Sequence, residues 1–431
     1  MSAGLRIKRL LRLSFSFVSG EAMIQVLQAI NGLLFVWLFC VEDFAVYAVF
    51  TAAMGFTSQL MGFGITPTII SLVGMDFHDQ AKVGRYLFAG ISMRLWILLI
   101  GSPLGLVLLW YSSAKMGLPL SSLLILSVLL LTANYLTAQI DIFCAPLQML
   151  GHLGGLYRCL ALGELLRMIL TASLWAVHLL GILSAVSVSV IVLLITYTTL
   201  RFMVKSHFEK PIVFPDKERR QLLNLVLPSL PNAIFGAFQG QITIFVAALL
   251  GNTQQIAAVG ALGRLSRLVS FLSAANPMIV GPAFAKMSEQ AFWRRLPYVF
   301  LIAGLVSAGI AMSGFLFPDT LIQLMGEKYE NLSPVVYLVT LGAGLAYFLN
   351  VLGTMRTFRR WVAWWASFAT IFLVVLAQVL VTLRFDLGTL SGVLVLGIAA
   401  TMARILIVFI LMGVARFRPS WLRAAPTNLA A

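Results

Sequence analysis

Twelve apolar runs, most of them long enough to cross a lipid bilayer and separated by short polar loops, limit what this chain can fold into. A helix rises 1.5 Å per residue, so about 20 apolar residues traverse the hydrocarbon core. The runs fall at approximately 14–40, 45–73, 88–111, 121–145, 157–180, 182–203, 222–250, 256–280, 297–317, 332–354, 362–383 and 388–413. They predict an all-α polytopic membrane protein of about twelve transmembrane helices. The whole chain agrees: 60% of its 431 residues are hydrophobic and 10% are charged, against about 25% charged in a soluble domain.

The net charge of +15 does not indicate a nucleic-acid binder, because the basic residues are scattered in short clusters between apolar runs. They alternate from loop to loop. One set of loops carries Arg6, Lys8, Arg9 and Arg12; Lys82 and Arg85; Arg158; Lys205, Lys210, Lys217, Arg219 and Arg220; Lys286, Arg294 and Arg295; Arg356, Arg359 and Arg360; and Arg416, Arg418 and Arg423. The opposite loops hold Lys115, Lys328 and Arg384. By the positive-inside rule both termini are expected in the cytoplasm. The basic start resembles a signal peptide, yet Glu21 interrupts the apolar run and no small-x-small cleavage site leads into more polar sequence. The first run is expected to remain as a span. Trp361, Trp364 and Trp365 beside Arg359 and Arg360 are expected to form an interfacial belt. Arg94 and Arg201 are expected to anchor at the inner interface.

Cys40, Cys144 and Cys159 have neither disulfide nor zinc spacing, and read as buried small hydrophobes. GxxxxGK[ST], HExxH and GxSxG are all missing from the sequence, so no cofactor, metal or hydrolase chemistry is expected.

The longest basic break, Lys205 to Gln221, divides the spans six and six. The expected organisation is a first lobe over 1–204, a cytoplasmic linker over 205–221, a second lobe over 222–413 and a basic tail over 414–431. The layout of 42–75 after the first span recurs at 254–287 after the seventh, consistent with two repeats enclosing a central binding region.

Within the first span, Glu21, Gln25, Gln28 and Asn31 are spaced by four, three and three residues, which makes one polar stripe on a helix. An ionisable side chain at mid-bilayer costs roughly 2.5 kcal/mol or more. The stripe must therefore face protein or water, and it is expected to line a polar cavity.

Several short segments then resemble a known family. Glu42-Asp43-Phe44-Ala45-Val46-Tyr47 is similar to the "P-E-D-F-G-x-Y" turn after the first span of Wzx-type polysaccharide flippases, members of the multidrug, oligosaccharidyl-lipid and polysaccharide exporter (MOP) superfamily. Leu227-Pro228 resembles the start of that family's seventh span. Gly326-Glu327-Lys328-Tyr329-Glu330 with Pro334 resembles its "F-G-x-x-Y-x-x-A-x-P" signature, and Gly151-His152-Leu153-Gly154 its cytoplasmic turn. Val41 replaces the usual Pro, and Leu324-Met325 replaces Leu-Phe. The resemblance implies a V-shaped, MATE-like, two-lobed alternating-access transporter. It implies as substrate an undecaprenyl-diphosphate-linked oligosaccharide, flipped from the cytoplasmic to the periplasmic leaflet of a bacterial inner membrane for O-antigen or exopolysaccharide synthesis. Polysaccharide polymerase and chain-length proteins are the partners it implies.

A diphosphate substrate calls for cations in the cavity. Arg264 and Arg267, i and i+3 in the eighth span, suit phosphate because the guanidinium fork binds it bidentately; a salt bridge to Glu21, Asp141 or Glu164 is the alternative. Arg404 is a weaker candidate near a helix end. Gln25, Gln28, Asn31, Asn134, Gln239, Gln241 and Asn350 are candidate partners for sugar hydroxyls, since amides both donate and accept; helix-to-helix bonding is their other role. Glu21, Asp141 and Glu164 are the candidates for ion coupling, although Glu164 and Arg167 at i and i+3 also invite mutual neutralisation. Pro228, Pro231, Gly236 and Gly240 are expected to bend the seventh span. Two other functions remain open: a drug or small-molecule antiporter of the same superfamily, and a polyprenyl-sugar glycosyltransferase or polymerase using Glu42 and Asp43.

Overall fold

The computed structural model describes residues 3–62, 64–76, 78–205, 208–209, 211, 213–227, 230–279, 284, 287–359, 361 and 364–417. Pro228, Lys210, Lys286, Arg360, Arg418 and Arg423 lie outside the described residues. The described chain is helical throughout, with no strand. In order the helices are α1 Ala3–Leu38, α2 Val41–Gly62, α3 Ile65–Val73, α4 Gln80–Lys115, α5 Leu120–Met149, α6 Leu153–Ala176, α7 Ile182–Val204, α8 Asp216–Val226, α9 Leu230–Leu250, α10 Thr253–Ile279, α11 Glu289–Leu316, α12 Pro318–Gln323, α13 Val336–Phe358, α14 Trp364–Thr382 and α15 Leu390–Phe417. Among the described residues, eleven segments are long and apolar enough to span a membrane; α10, with two arginines and several polar residues, is long but less apolar. The chain is a multi-pass membrane protein.

Two compact units divide it, Met1–Gly260 and Ala261–Ala431. In the first, α2 packs on α4, α5 and α9, α5 on α7, and α6 on α1 and α7. In the second, α11 and α15 both pack on α13, and α14 packs on α15.

Two of the expected spans are interrupted. The run 45–73 breaks after Gly62, where Gly64 adopts φ +64°, a conformation a side chain would resist. Its carbonyl accepts from Thr68 N at 3.0 Å to open α3, and Pro67 is tolerated because it lies in the first helical turn. The run beginning at 222 is the end of a separate helix. Asp216 and Glu218 favour the N-terminus of α8, and Leu222 and Val226 are buried on the side facing α3 and α4. Arg85 pairs with Glu218 at 2.8 Å and Tyr86 donates to Gln221 at 2.5 Å. This stretch is therefore a docked amphipathic helix rather than the start of a span. Both α8 and α9 belong to the first compact unit.

The Glu42-Asp43 corner is a helix junction. Both carboxylates sit in the first turn of α2, where the helix dipole favours negative charge. Tyr47 packs against Phe35, Phe39 and Phe44, with ring centroids 4.5, 5.7 and 6.2 Å away. Partial desolvation, with Asp43 alongside, raises the Cys40 thiol above its ordinary range, but Cys40 is exposed and Cys159 half-buried, so of the three cysteines only Cys144 is the buried small residue expected. Lys115 closes α9 by donating to Gly251 O at 2.9 Å, a favourable place for a cation.

Small residues let α2 and the 230–260 segment approach closely, as at helix interfaces in membranes. A Cβ on Gly260 would lie 2.6 Å from the Ala48 Cβ, whereas one on Gly263 would meet nothing within 4 Å. Gly260→Leu is therefore expected to destabilise the protein by about 1–3 kcal/mol, the usual range for overpacking, with Gly263→Leu near neutral. Thermal unfolding in one detergent would show it; equal midpoints for the two variants would contradict this packing.

Candidate functional site

The stripe on α1 is divided between a cavity and the helix packing. Glu21 and Gln28 line a cavity of about 330 Å³ together with Thr137 and Asp141 of α5, Glu164 and Arg167 of α6, and Ser189 and Thr196 of α7. Tyr157 and Cys144 contribute its less polar wall. Gln25 donates to Glu21 Oε1 at 3.3 Å, one helical turn away. Asn31 does not line the cavity. It is fully buried, and its Nδ2 donates to Glu164 Oε2 at 2.8 Å and to the Glu164 carbonyl at 3.0 Å, fastening α1 to α6.

Two of the three carboxylates on this cavity already have a cation. Glu164 pairs with Arg167 at 2.5 Å. Asp141 pairs with Arg94 and accepts from Thr66 Oγ1 at 2.8 Å. Arg94 was expected at the membrane interface; instead it is 1% exposed and bonds Asp141, Thr66 Oγ1 and the Ala138 carbonyl. Snorkelling fails as an account of it because α3, starting again after Gly64, brings Thr66 to its guanidinium. Glu21 differs from the other two. Among the described residues it accepts from Gln25 and makes no ion pair. Glu21 is half-buried on the cavity wall.

The other candidate amides are dispersed. Asn134 is buried and accepts from Ser58 at 3.1 Å, joining α5 to α2. Gln241 is buried on α9 directly over Gly55 of α2, with Gln239 two residues earlier and partly buried. Asn350 of α13 accepts from Asn276 of α10 at 3.0 Å. Asn276, Thr66 and Ser58 were not expected from the sequence. Each is a short polar residue without a stripe of its own, and only its partner reveals it.

The second unit has the opposite charge character. Arg264 is buried and Arg267 exposed on α10, while Arg404 is partly buried on α15. Helices α10, α13, α14 and α15 contain no Asp or Glu. The acidic residues after 260 are Glu289, Asp319, Glu327, Glu330 and Asp386, at the start of α11, on the short α12 and in the connections. With fourteen Lys and Arg against five Asp and Glu after residue 260, this half carries a net positive charge.

No family profile matches the chain, and no curated protein sequence does either. Among solved structures, the MATE multidrug transporter DinF-BH superposes with a TM-score of 0.67 at 14% identity, covering 97% of both chains. The eukaryotic MATE transporter AtDTX14 gives 0.62 at 14% identity, covering 95% of this chain and 96% of its own. An inward-facing multidrug resistance MATE transporter of the MOP superfamily gives 0.61 at 15% identity, covering 94% and 99%. The fold of this chain is that of the MATE transporters.

Proposed function

We propose that the chain is an alternating-access transporter that flips a diphosphate-bearing, lipid-linked oligosaccharide across a bacterial inner membrane, moving it from the cytoplasmic to the periplasmic leaflet. The observation that carries the anionic substrate is the positive charge of the second unit, where fourteen Lys and Arg stand against five Asp and Glu after residue 260 and Arg264, Arg267 and Arg404 lie within long helices. Undecaprenyl diphosphate is the lipid carrier in this reading, and a polysaccharide polymerase would take the product on the far side. The lobes are those delimited by the linker at 205–221. Gln28 and the remaining candidate amides supply contacts to sugar or between helices.

Drug export is the second reading, favoured by the multidrug transporters among the structural neighbours. A cationic drug needs anionic walls, and two of the three cavity carboxylates are neutralised by arginine. The neighbours' identities of 14–15% leave substrate choice to these local charges.

Glu21 is the residue that couples transport to protons in this account, since it alone of the three carboxylates makes no ion pair among the described residues. Wild-type transport is expected to vary with pH, and Glu21→Gln, which keeps the shape and removes the charge, is expected to flatten that profile. Initial rates in proteoliposomes over a pH series provide the test. A Glu21→Gln profile parallel to wild type would remove Glu21 from the coupling step.

A further inference from the structure

A second cavity, of about 920 Å³, follows one face of α11 in the second unit. Its lining includes Arg294, Arg295, Tyr298, Val299 and Ile302, three to four residues apart and so on one side of the helix. We propose that this cavity holds the headgroup of a phosphate-bearing anionic lipid, with the phosphate at Arg294 and Arg295 and the chain along Tyr298, Val299 and Ile302.

Charge is the first argument. Arg294 and Arg295 are exposed, and neither makes an ion pair among the described residues. Glu289, the carboxylate at the start of the same helix, makes no ion pair among the described residues either. Arg359 donates to the Met287 carbonyl at 3.0 Å and lies 4.3 Å over the Phe292 ring. Arg416 lies 5.0 Å over Trp293. Four guanidiniums thus surround the start of α11 with one carboxylate among them. Burial pulls Arg359 below the usual guanidinium range, and a nearby anion would offset that.

Polarity along the helix is the second argument. From Arg294 to Ile302 the lining passes from two cations through a phenol to aliphatic side chains, over about 12 Å at 1.5 Å per residue. A membrane lipid changes from phosphate to hydrocarbon over a similar distance. Aromatic side chains mark the headgroup level of membrane proteins, and Trp293 and Trp361 stack at 6.2 Å beside this site. Basic pockets at this level bind anionic headgroups, and the arginine fork suits phosphate oxygens.

The test is lipid binding, read without turnover and therefore independent of the transport proposal. The full-length protein in detergent is titrated with phosphatidylglycerol and, separately, with phosphatidylcholine of the same chains, and bound lipid is counted by native mass spectrometry. Wild type is expected to prefer phosphatidylglycerol at least tenfold. Arg294→Gln with Arg295→Gln is expected to lose that preference, and Ile302→Asn to weaken binding of both lipids. Neutralising the exposed Arg158 of α6 is expected to change neither. If the double variant is not monodisperse, Arg295→Gln alone and Ile302→Asn carry the comparison. Adding a polyprenyl diphosphate identifies the source: displacement of phosphatidylglycerol assigns the site to the carrier lipid, and retention assigns it to a resident bilayer lipid. Equal phosphatidylglycerol preference in wild type and the double variant would overturn the proposal, as would an equal loss with Arg158→Gln.

Discussion

Replacing Arg264 and Arg267 together by alanine is expected to reduce translocation of a diphosphate-linked oligosaccharide by roughly tenfold to about 150-fold. A hydrogen bond to a charged partner contributes about 1.5–3 kcal/mol, and each 1.4 kcal/mol is tenfold. The upper end corresponds to both guanidiniums engaging the diphosphate at about 1.5 kcal/mol each. Their replacement by lysine separates charge from shape, because lysine keeps the positive charge but cannot form the bidentate fork. The lysine pair should fall between wild type and the alanine pair. Arg264 is buried and Arg267 exposed, so a change confined to Arg264→Ala reports partly on packing. The double alanine variant must therefore be compared at equal amounts of monodisperse protein. Unchanged translocation by that variant would remove both arginines from substrate binding.

The second large effect concerns stability and has a direction that depends on which partner is removed. Asp141→Ala leaves Arg94 charged, enclosed and deprived of its carboxylate. Breaking a fully buried pair costs about 3–5 kcal/mol; because the Asp141 side chain is half exposed, the loss should fall below that range and above the roughly 0–1 kcal/mol of an exposed pair. The reverse change, Arg94→Met, fills much of the same volume and leaves a carboxylate whose side chain is 51% exposed, against 1% for Arg94. Water in the cavity can solvate that carboxylate, so the electrostatic loss should be nearer the 0–1 kcal/mol of an exposed pair. Thermal unfolding in one detergent at one heating rate is expected to rank wild type first, Arg94→Met second and Asp141→Ala last. The opposite order of the two variants would mean that Arg94 does not carry an enclosed charge.

The difference between these residues also explains what could be read from the chain. Long apolar runs made the spans legible, because a bilayer accepts little else, and Glu164 with Arg167 followed from i, i+3 spacing. The polar stripe on α1 was legible as a stripe, yet its residues have different fates: Glu21 and Gln28 reach a cavity, and Asn31 bonds the next helix. Period alone cannot separate them, since the partner lies 133 residues away on α6. Arg94 hides its partners for a similar reason. Its distance from the end of an apolar run matches a snorkelling arginine, and only the break at Gly64 places Thr66 beside it. The docked α8 was hidden because Leu222, Leu223 and Leu225 continue the apolar pattern into the following run, although Asp216 and Glu218 mark a helix start.

The most direct measurement of the central claim is transport by the purified wild-type protein in liposomes. A diphosphate-linked oligosaccharide is placed in both leaflets, and the fraction open to an enzyme added outside is followed with time, alongside a parallel assay for uptake of a cationic dye. An accessible fraction rising beyond that of empty liposomes, with no protein-dependent movement of the dye, is the predicted result. Dye transport with no turnover of the lipid-linked sugar would contradict it.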